Sequence, residues 1–271
     1  MSKVIFICTG NTCRSPMAAA VYSRLCPDDE VLSAGLYADG SEYCHKSIAA
    51  LESIGISLSG NSKQLEPDML DCDRFYVMSG SHKAALLSVG VADDKITVLN
   101  VSDPFGGDLE VYKACLKEII GKLSALLVAV RPMTEADTET VAELENTCFS
   151  EPWSQQGLLD SLGSGIRFAV ADIMGRIAGY MGVQVTLDEA YVTNVAVFPE
   201  FRRLGIGNKL VQDAIGFCEE NDIAFLTLEV RESNAKAISL YENAGFAYVG
   251  KRKNFYSNPK EDAVLMTKEF K

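Results

Sequence analysis

The run Cys8-Thr9-Gly10-Asn11-Thr12-Cys13-Arg14-Ser15 places a thiol, a guanidinium and hydroxyls within eight residues, directly after the apolar stretch Val4-Ile5-Phe6-Ile7. A strand ending there and a helix with Pro16 in its first turn aim successive backbone N–H groups at one point, a concave site for an anion. Gly10 is expected to permit the tight path. A phosphoryl group fits such a site. The same field stabilises a thiolate at Cys8, with the Ser15 hydroxyl as a partner for the sulfur. Arg14 can hold two equatorial oxygens of a phosphoryl group at once. The chemistry on offer is nucleophilic displacement at phosphorus, although the bare spacing also fits a buried strand-end cysteine beside a surface arginine. A second loop, Val195-Ala196-Val197-Phe198-Pro199-Glu200-Phe201-Arg202-Arg203-Leu204-Gly205-Ile206-Gly207, runs into a helix beginning near Asn208. Strand, basic glycine-containing loop and helix N-terminus again make an anion site, here wide enough for a pyrophosphate, with Arg203, Gly205 and Gly207 contributing most.

Both loops need a scaffold, and the chain supplies two. Length alone suggests two cores, since 271 residues exceed one average domain. Strands at Val4–Ile7, Phe75–Met78 and Ile96–Leu99 alternate with helical segments such as Pro16–Leu25, which is the order of an α/β domain with a central parallel sheet flanked by helices. A long amphipathic helix over Val111–Leu127 closes this unit. Val128-Ala129-Val130-Arg131-Pro132 restarts as a strand with no Gly, Ser or Pro spacer, so a short joint is expected near residue 129, between domains 1–129 and 130–271. The second domain reads as a helix over Thr138–Cys148 and an antiparallel meander over Phe168–Ile173, Ile177–Val185 and Ala190–Val197. A helix over Gly205–Asn221 follows, then a strand, a helix and one final strand.

Composition narrows the class of partner. The 25 basic and 37 acidic residues give a net charge of −12, which argues against direct nucleic-acid binding. The absence of a run of roughly 18 apolar residues argues against a membrane partner and for a cytoplasmic location. Eight cysteines (Cys8, Cys13, Cys26, Cys44, Cys72, Cys115, Cys148, Cys218) are scattered without metal-ligand spacing, and most read as buried thiols. His45 and His82 have no ligand partners at metal spacing, so both read as structural or surface residues and no metal is called for.

The Cys8–Ser15 loop, followed far downstream by Asp103-Pro104-Phe105 ahead of the last helix of the first domain, resembles the low-molecular-weight protein tyrosine phosphatase family over about the first 128 residues. The resemblance implies that Cys8 attacks phosphorus and that Arg14 binds the phosphate. It makes Asp103 the acid that protonates the leaving group and later activates water. It also implies that Thr9, Gly10, Asn11, Thr12, Cys13, Arg14 and Ser15 together cradle the phosphate. Where tyrosine-specific members carry an apolar side chain, this sequence has Thr12, and with Asp103-Pro104-Phe105-Gly106-Gly107 it looks like the protein-arginine phosphatase branch. A phosphoguanidinium presents N–H donors beside phosphorus that a hydroxyl and a carboxylate can recognise, whereas a phenol ring prefers an apolar wall. Phe105 is expected to narrow the mouth. A tyrosine phosphatase is the alternative. Thiol-linked arsenate reductases share the loop but need two further cysteines close together, and Cys72 stands alone. Cys13 reads either as a disulfide partner for Cys8 under oxidation or as a small buried side chain.

The second domain resembles the GNAT acetyltransferases over about residues 130–270, through Arg203-Leu204-Gly205-Ile206-Gly207, Leu228-Glu229-Val230-Arg231-Glu232-Ser233-Asn234 and Leu240-Tyr241-Glu242-Asn243-Ala244-Gly245-Phe246. The late Lys253-Asn254-Phe255-Tyr256 and Glu261-Asp262-Ala263 make it similar to the ribosomal-protein alanine N-acetyltransferases. The resemblance implies a GNAT fold with a mixed, largely antiparallel sheet, acetyl-CoA as co-substrate, and the basic N-terminus of a ribosomal protein as acceptor. It assigns Glu229 as base and Tyr241 as acid. Cofactor contacts fall to Val195, Ala196 and Val197 beside a splayed strand, to Arg203, Leu204, Gly205, Ile206, Gly207 and Asn208, and to Asn234. Other protein amines or a small amine stay open as acceptors. Trp153 reads as a groove residue or as core. The whole is expected to be bifunctional, its other partner being a phosphorylated protein.

Overall fold

The apolar run near the start of the chain forms β1 (Lys3–Cys8), in which every residue after the first is buried. Burial on both faces is what a central parallel strand requires. There follow α1 (Arg14–Leu25), β2 (Glu30–Gly35), α2 (His45–Glu52), β3 (Arg74–Val77), α3 (Gly80–Ser88), β4 (Ile96–Val98) and α4 (Leu109–Leu127). In this computed structural model, which describes residues 1–270, the four strands pair in parallel in the order β2-β1-β3-β4. The chain leaves β1 toward β2 and returns on the other side at β3. The carboxyl end of β1 therefore lies at a switch point, where such sheets open a ligand crevice. On one face Ile5, Ile7, Phe75 and Val77 pack with Leu86 and Ile96. On the other, Phe6 stacks on Tyr76 with centroids 4.9 Å apart and meets Tyr22 of α1 at 5.4 Å.

β5 (Val128–Pro132) follows α4 with no residue between them. Val128 and Ala129 already pair with Ile173 and Asp172, so the chain divides into two compact units between Leu127 and Val128, ahead of the expected residue 129. The second unit continues with α5 (Thr138–Cys148), α6 (Gln155–Ser161), β6 (Ile166–Ile173), β7 (Arg176–Thr186), β8 (Glu189–Val197), α7 (Ile206–Glu220), β9 (Phe225–Arg231) and α8 (Ala235–Asn243). It ends with two strands, β10 (Ala247–Ser257) and β11 (Lys260–Glu269), paired as a hairpin where one final strand was expected. No residue of β10 is buried, so it lacks the apolar alternation that marks a half-buried strand.

The seven strands run β10-β11-β9-β8-β7-β6-β5, antiparallel except between β8 and β9. That parallel pair spans only Glu189–Tyr191 against Phe225–Thr227, after which the two strands part. Val141, Leu144, Leu158, Phe168, Val170 and Tyr180 form a core on one side. Trp153 packs on it edge-to-face with Phe168 at 5.9 Å, a core position rather than a groove one. α7 contributes the buried Leu210, Val211, Ala214 and Cys218. Among the described residues, no helix is long and apolar enough to cross a membrane.

Candidate active sites

In the first unit, the loop at the end of β1 is organised by Asn11. Its φ of 53° is the left-handed conformation that Asn tolerates better than most residues. Its backbone N–H reaches Cys8 Sγ at 3.2 Å, its Nδ2 donates to Ser15 Oγ at 2.8 Å, and its Oδ1 accepts from the Lys63 N–H at 2.8 Å. Ser15 Oγ is itself 3.0 Å from Cys8 Sγ. One N–H donor aimed at the sulfur, with a hydroxyl in contact beside it, is a setting that suits an activated thiol nucleophile. Gly10, expected to release the tight path, is not at positive φ, and a Cβ there would meet only Thr12 Oγ1 at 3.9 Å. The close approach occurs instead at Gly35 of β2, where a Cβ would lie 2.8 Å from the Thr9 carbonyl and 2.9 Å from the Asn11 nitrogen.

Asp103 meets this loop from the far end of the unit. The buried Arg14 donates from Nη2 to Asp103 Oδ2 at 2.5 Å and from Nη1 to the Val101 carbonyl at 3.3 Å, while Asp103 stays half exposed. Phe105, expected to narrow the mouth, is 81% exposed, and its N–H donates to Asp103 Oδ1 at 3.2 Å. Three further residues complete the surroundings: Lys46 and Tyr112, which sequence reasoning left out, and His82, which it read as structural or surface. Lys46 of α2 donates to the Gly107 carbonyl at 2.5 Å, steadying the Asp-Pro loop. Tyr112 of α4 touches the Cys13 sulfur at 3.3 Å. His82 is buried, with Nε2 3.0 Å from Thr9 Oγ1 and Nδ1 2.6 Å from Ser79 Oγ. Burial, and then the Arg14 charge, push its imidazole below the ordinary value.

In the second unit, the parting of β8 and β9 opens a cleft of about 450 Å³, lined by Asn194 and Val195 of β8, Glu229 of β9, and Asn234 and Tyr241 at α8. The Glu229 side chain is 4% exposed; one oxygen accepts from Arg252 Nη1 at 2.5 Å and the other, Oε2, is buried without a partner. Arg252 is itself 57% exposed and lies over the Phe255 ring at 4.8 Å. Burial, and secondarily Tyr256, push the Tyr241 phenol up to about 12, which keeps it protonated and able to donate. Glu145, also unforeseen, is fully buried beneath the cleft. It accepts from the Tyr180 hydroxyl, from Asn194 Nδ2 at 2.9 Å and from the Trp153 N–H at 2.9 Å, which fixes one wall.

The expected cofactor residues divide. Val195 lines the cleft, whereas the Val197 carbonyl is engaged by Arg202 Nε at 3.0 Å and Ala196 is buried. Beyond β8, Arg203 (φ 65°) and Gly205 (φ 80°) both take left-handed turns that lead into α7. Leu204 and Ile206 bury their side chains, so only their backbones can face a ligand, while Asn208 is exposed. Gly207 has a packing role, since a Cβ there would press Leu240 Cδ2 at 3.3 Å. Asn234 caps α8 through Oδ1, which accepts from the Ala237 N–H at 3.2 Å.

Residues 3–136 match the description of the low molecular weight phosphotyrosine protein phosphatases, and residues 138–246 match that of the acetyltransferase (GNAT) family. A protein-arginine-phosphatase of Geobacillus stearothermophilus is 37% identical over 130 residues, covering 43% of this chain and 88% of that protein. The ribosomal protein bS18-alanine N-acetyltransferase of Escherichia coli K12 is 34% identical over 139 residues, covering 51% of this chain and 94% of that protein. The chain belongs to both families. Its phosphatase unit and its GNAT unit each carry the fold of an enzyme family. The crystal structure of the ribosomal-protein-S18-alanine N-acetyltransferase from Escherichia coli matches the GNAT unit with a TM-score of 0.50 at 32% identity, covering 53% of this chain and 94% of that one.

Proposed function

We propose that the chain is a bifunctional enzyme, a cysteine-dependent protein-arginine phosphatase joined to an acetyl-CoA-dependent N-terminal alanine acetyltransferase whose acceptor is ribosomal protein bS18. The phosphatase reading is carried by the convergence of Cys8, Arg14 and Asp103 from two loops 89 residues apart. Cys8 Sγ attacks phosphorus while Arg14 holds the equatorial oxygens, and Asp103 gives its proton to the guanidine nitrogen as the P–N bond breaks. The Asp103 carboxylate then takes a proton from water, which displaces Cys8 from phosphorus and releases phosphate. Thr12, partly exposed in the loop, favours a guanidinium over a phenol ring at the rim.

The acetyltransferase reading is carried by Glu229 and Tyr241 lining one cleft where β8 and β9 part. The strand edge freed there suits an extended amide-bearing arm such as that of acetyl-CoA, and the turn into α7 suits its phosphates. Glu229 accepts the proton of the acceptor ammonium, directly or through water, so that the free amine attacks the thioester. Tyr241 then donates to the departing thiolate. The acidic GNAT unit suits a basic acceptor terminus.

The test of the first activity compares kcat/KM on a phosphoarginine peptide and on a matched phosphotyrosine peptide, with Cys8→Ser as the blank and Thr12→Ile as the specificity variant. Preference for phosphoarginine, reversed by Thr12→Ile, is the expected result; preference for phosphotyrosine in the wild type makes the unit a tyrosine phosphatase instead. For the second, transfer from acetyl-CoA to an alanine-starting peptide is expected to fall by about 10²–10⁴ in Glu229→Gln, with acetyl-CoA binding retained. Turnover near that of the wild type places the base elsewhere.

A further inference from the structure

The carboxylate that serves as base in the GNAT unit already holds a cation of this chain. Glu229 pairs with Leu265 of β11, which pairs in turn with Gly250 of β10, and Arg252 lies two residues further along β10. Directly paired residues share a face of a sheet, and so do residues two apart on one strand. The Arg252 side chain therefore crosses β11 on the face that carries Glu229, and its Nη1 donates to one Glu229 oxygen at 2.5 Å. Just past Arg252 the pairing is irregular, running from Arg252 against Ala263 to Tyr256 against Glu261. Inside that bulge Asn254 turns at a φ of 52°, and its N–H donates to Asp262 Oδ1 at 2.8 Å. The bulge presents Phe255 to the cleft, with the Arg252 guanidinium over its ring at 4.8 Å. A carboxylate on one side and an aromatic face on the other make a site for a cation. Both groups line the cleft, so an arginine of the chain itself fills a cation site at the cleft wall.

The two partners differ in freedom. Glu229 is almost wholly buried, whereas more than half of the Arg252 side chain is exposed. The arginine can swing into water while the carboxylate stays in place. An ion pair with one member this exposed contributes little to stability, but a buried carboxylate left alone is costly. A guest that displaces Arg252 must therefore bring its own positive charge. Arg252 also serves only one oxygen, since Glu229 Oε2 is buried without a partner. A primary ammonium carries three N–H donors on one compact nitrogen and can serve both.

We propose that Arg252 is a specificity-determining residue that stands in for the acceptor ammonium at Glu229, and that the acceptor binds by displacing it. The inference rests on Glu229 being the base. In the exchange no covalent bond forms or breaks; one cation replaces another on the carboxylate. A neutral or anionic acceptor cannot replace the departing charge, so the exchange selects cations. The acceptor KM includes the free energy of breaking the Arg252–Glu229 pair, which makes Arg252 a brake on acceptor affinity.

The test measures acetyl transfer by the full-length protein at saturating acetyl-CoA, with a basic alanine-starting peptide as acceptor. Arg252→Gln removes the competing charge and is expected to lower the acceptor KM several-fold, so that kcat/KM rises. Arg252→Met, uncharged and of similar length, is the second variant with the same expectation. Arg252→Lys keeps a cation at the site and is expected to hold the KM near that of the wild type. Guanidinium chloride at a non-denaturing concentration, compared with sodium chloride of equal ionic strength, refills the site. It is expected to compete with the acceptor in Arg252→Gln and to inhibit that variant several-fold more strongly than the wild type, a sensitivity that a merely structural arginine does not predict. A fall in kcat at unchanged KM in both uncharged variants, or equal inhibition by guanidinium with and without Arg252, overturns the proposal. Failure of the base assignment is told apart by Glu229→Gln, whose turnover then stays near that of the wild type whatever the Arg252 variants do.

Discussion

His82 bridges Thr9 of the phosphate loop and Ser79 ahead of α3, and its imidazole lies within the fields of the Arg14 guanidinium and the Asp103 carboxylate. Burial and Arg14 hold it below the ordinary value near 6.5 that the unfolded chain retains. As pH falls past about 6.5, the unfolded chain takes up a proton that the folded one resists. The stability held above that pH is therefore lost as the pH falls toward the folded value. Unfolding midpoints in urea, read by far-ultraviolet circular dichroism at about pH 7.5 and 5.5, are expected to drop more in the wild type than in His82→Gln. The contrast between the two proteins isolates this residue, because all other groups are common to both. Equal drops mean that the bridge does not titrate in this window.

At the scale of elements, Gly35, which ends β2, and Gly207, in the first turn of α7, make opposite predictions. At Gly35 a Cβ would meet backbone atoms of Thr9, Gly10 and Asn11 within 3 Å, and backbone cannot swing aside. Gly35→Ala is expected to displace the phosphate loop and lower phosphatase kcat/KM by roughly 10²-fold, the order of loss when positioned groups shift by an ångström. At Gly207 the nearest atom is the flexible end of Leu240, so Gly207→Ala is expected to leave acetyl transfer within a few-fold of the wild type. A Gly35→Ala enzyme of normal activity is incompatible with this packing. The same residues show what a sequence can disclose. Cys8, Asn11, Arg14 and Ser15 were legible because one strand-loop-helix turn carries them all, and Glu229 and Tyr241 because local runs mark them. Gly35, Lys46, His82 and Tyr112 meet the phosphate site, and Glu145 meets Tyr180 and Asn194, across more than 20 residues of chain, where no spacing rule links them. The boundaries of α5 followed directly from apolar periodicity, whereas β10 escaped because its exposed, polar residues alternate in nothing.

At the scale of the whole chain, each candidate constellation draws its residues from its own sheet and core. Both units are acidic: 11 basic and 16 acidic residues up to Val130 leave −5, and the other 14 and 21 leave −7. Cys8→Ser is therefore expected to abolish dephosphorylation and leave acetyl transfer unchanged, while Glu229→Gln does the reverse; both activities are assayed on the same preparation. Loss of both from either change contradicts this division of labour. The chain also carries its own means of telling its halves apart. Trp153 is its only indole, and it lies edge-on to Phe168 against the core of the GNAT unit. Light absorbed at the long-wavelength end of the protein spectrum is emitted from that unit alone. Its emission follows the melting of one enzyme while the other, lacking an indole, stays dark.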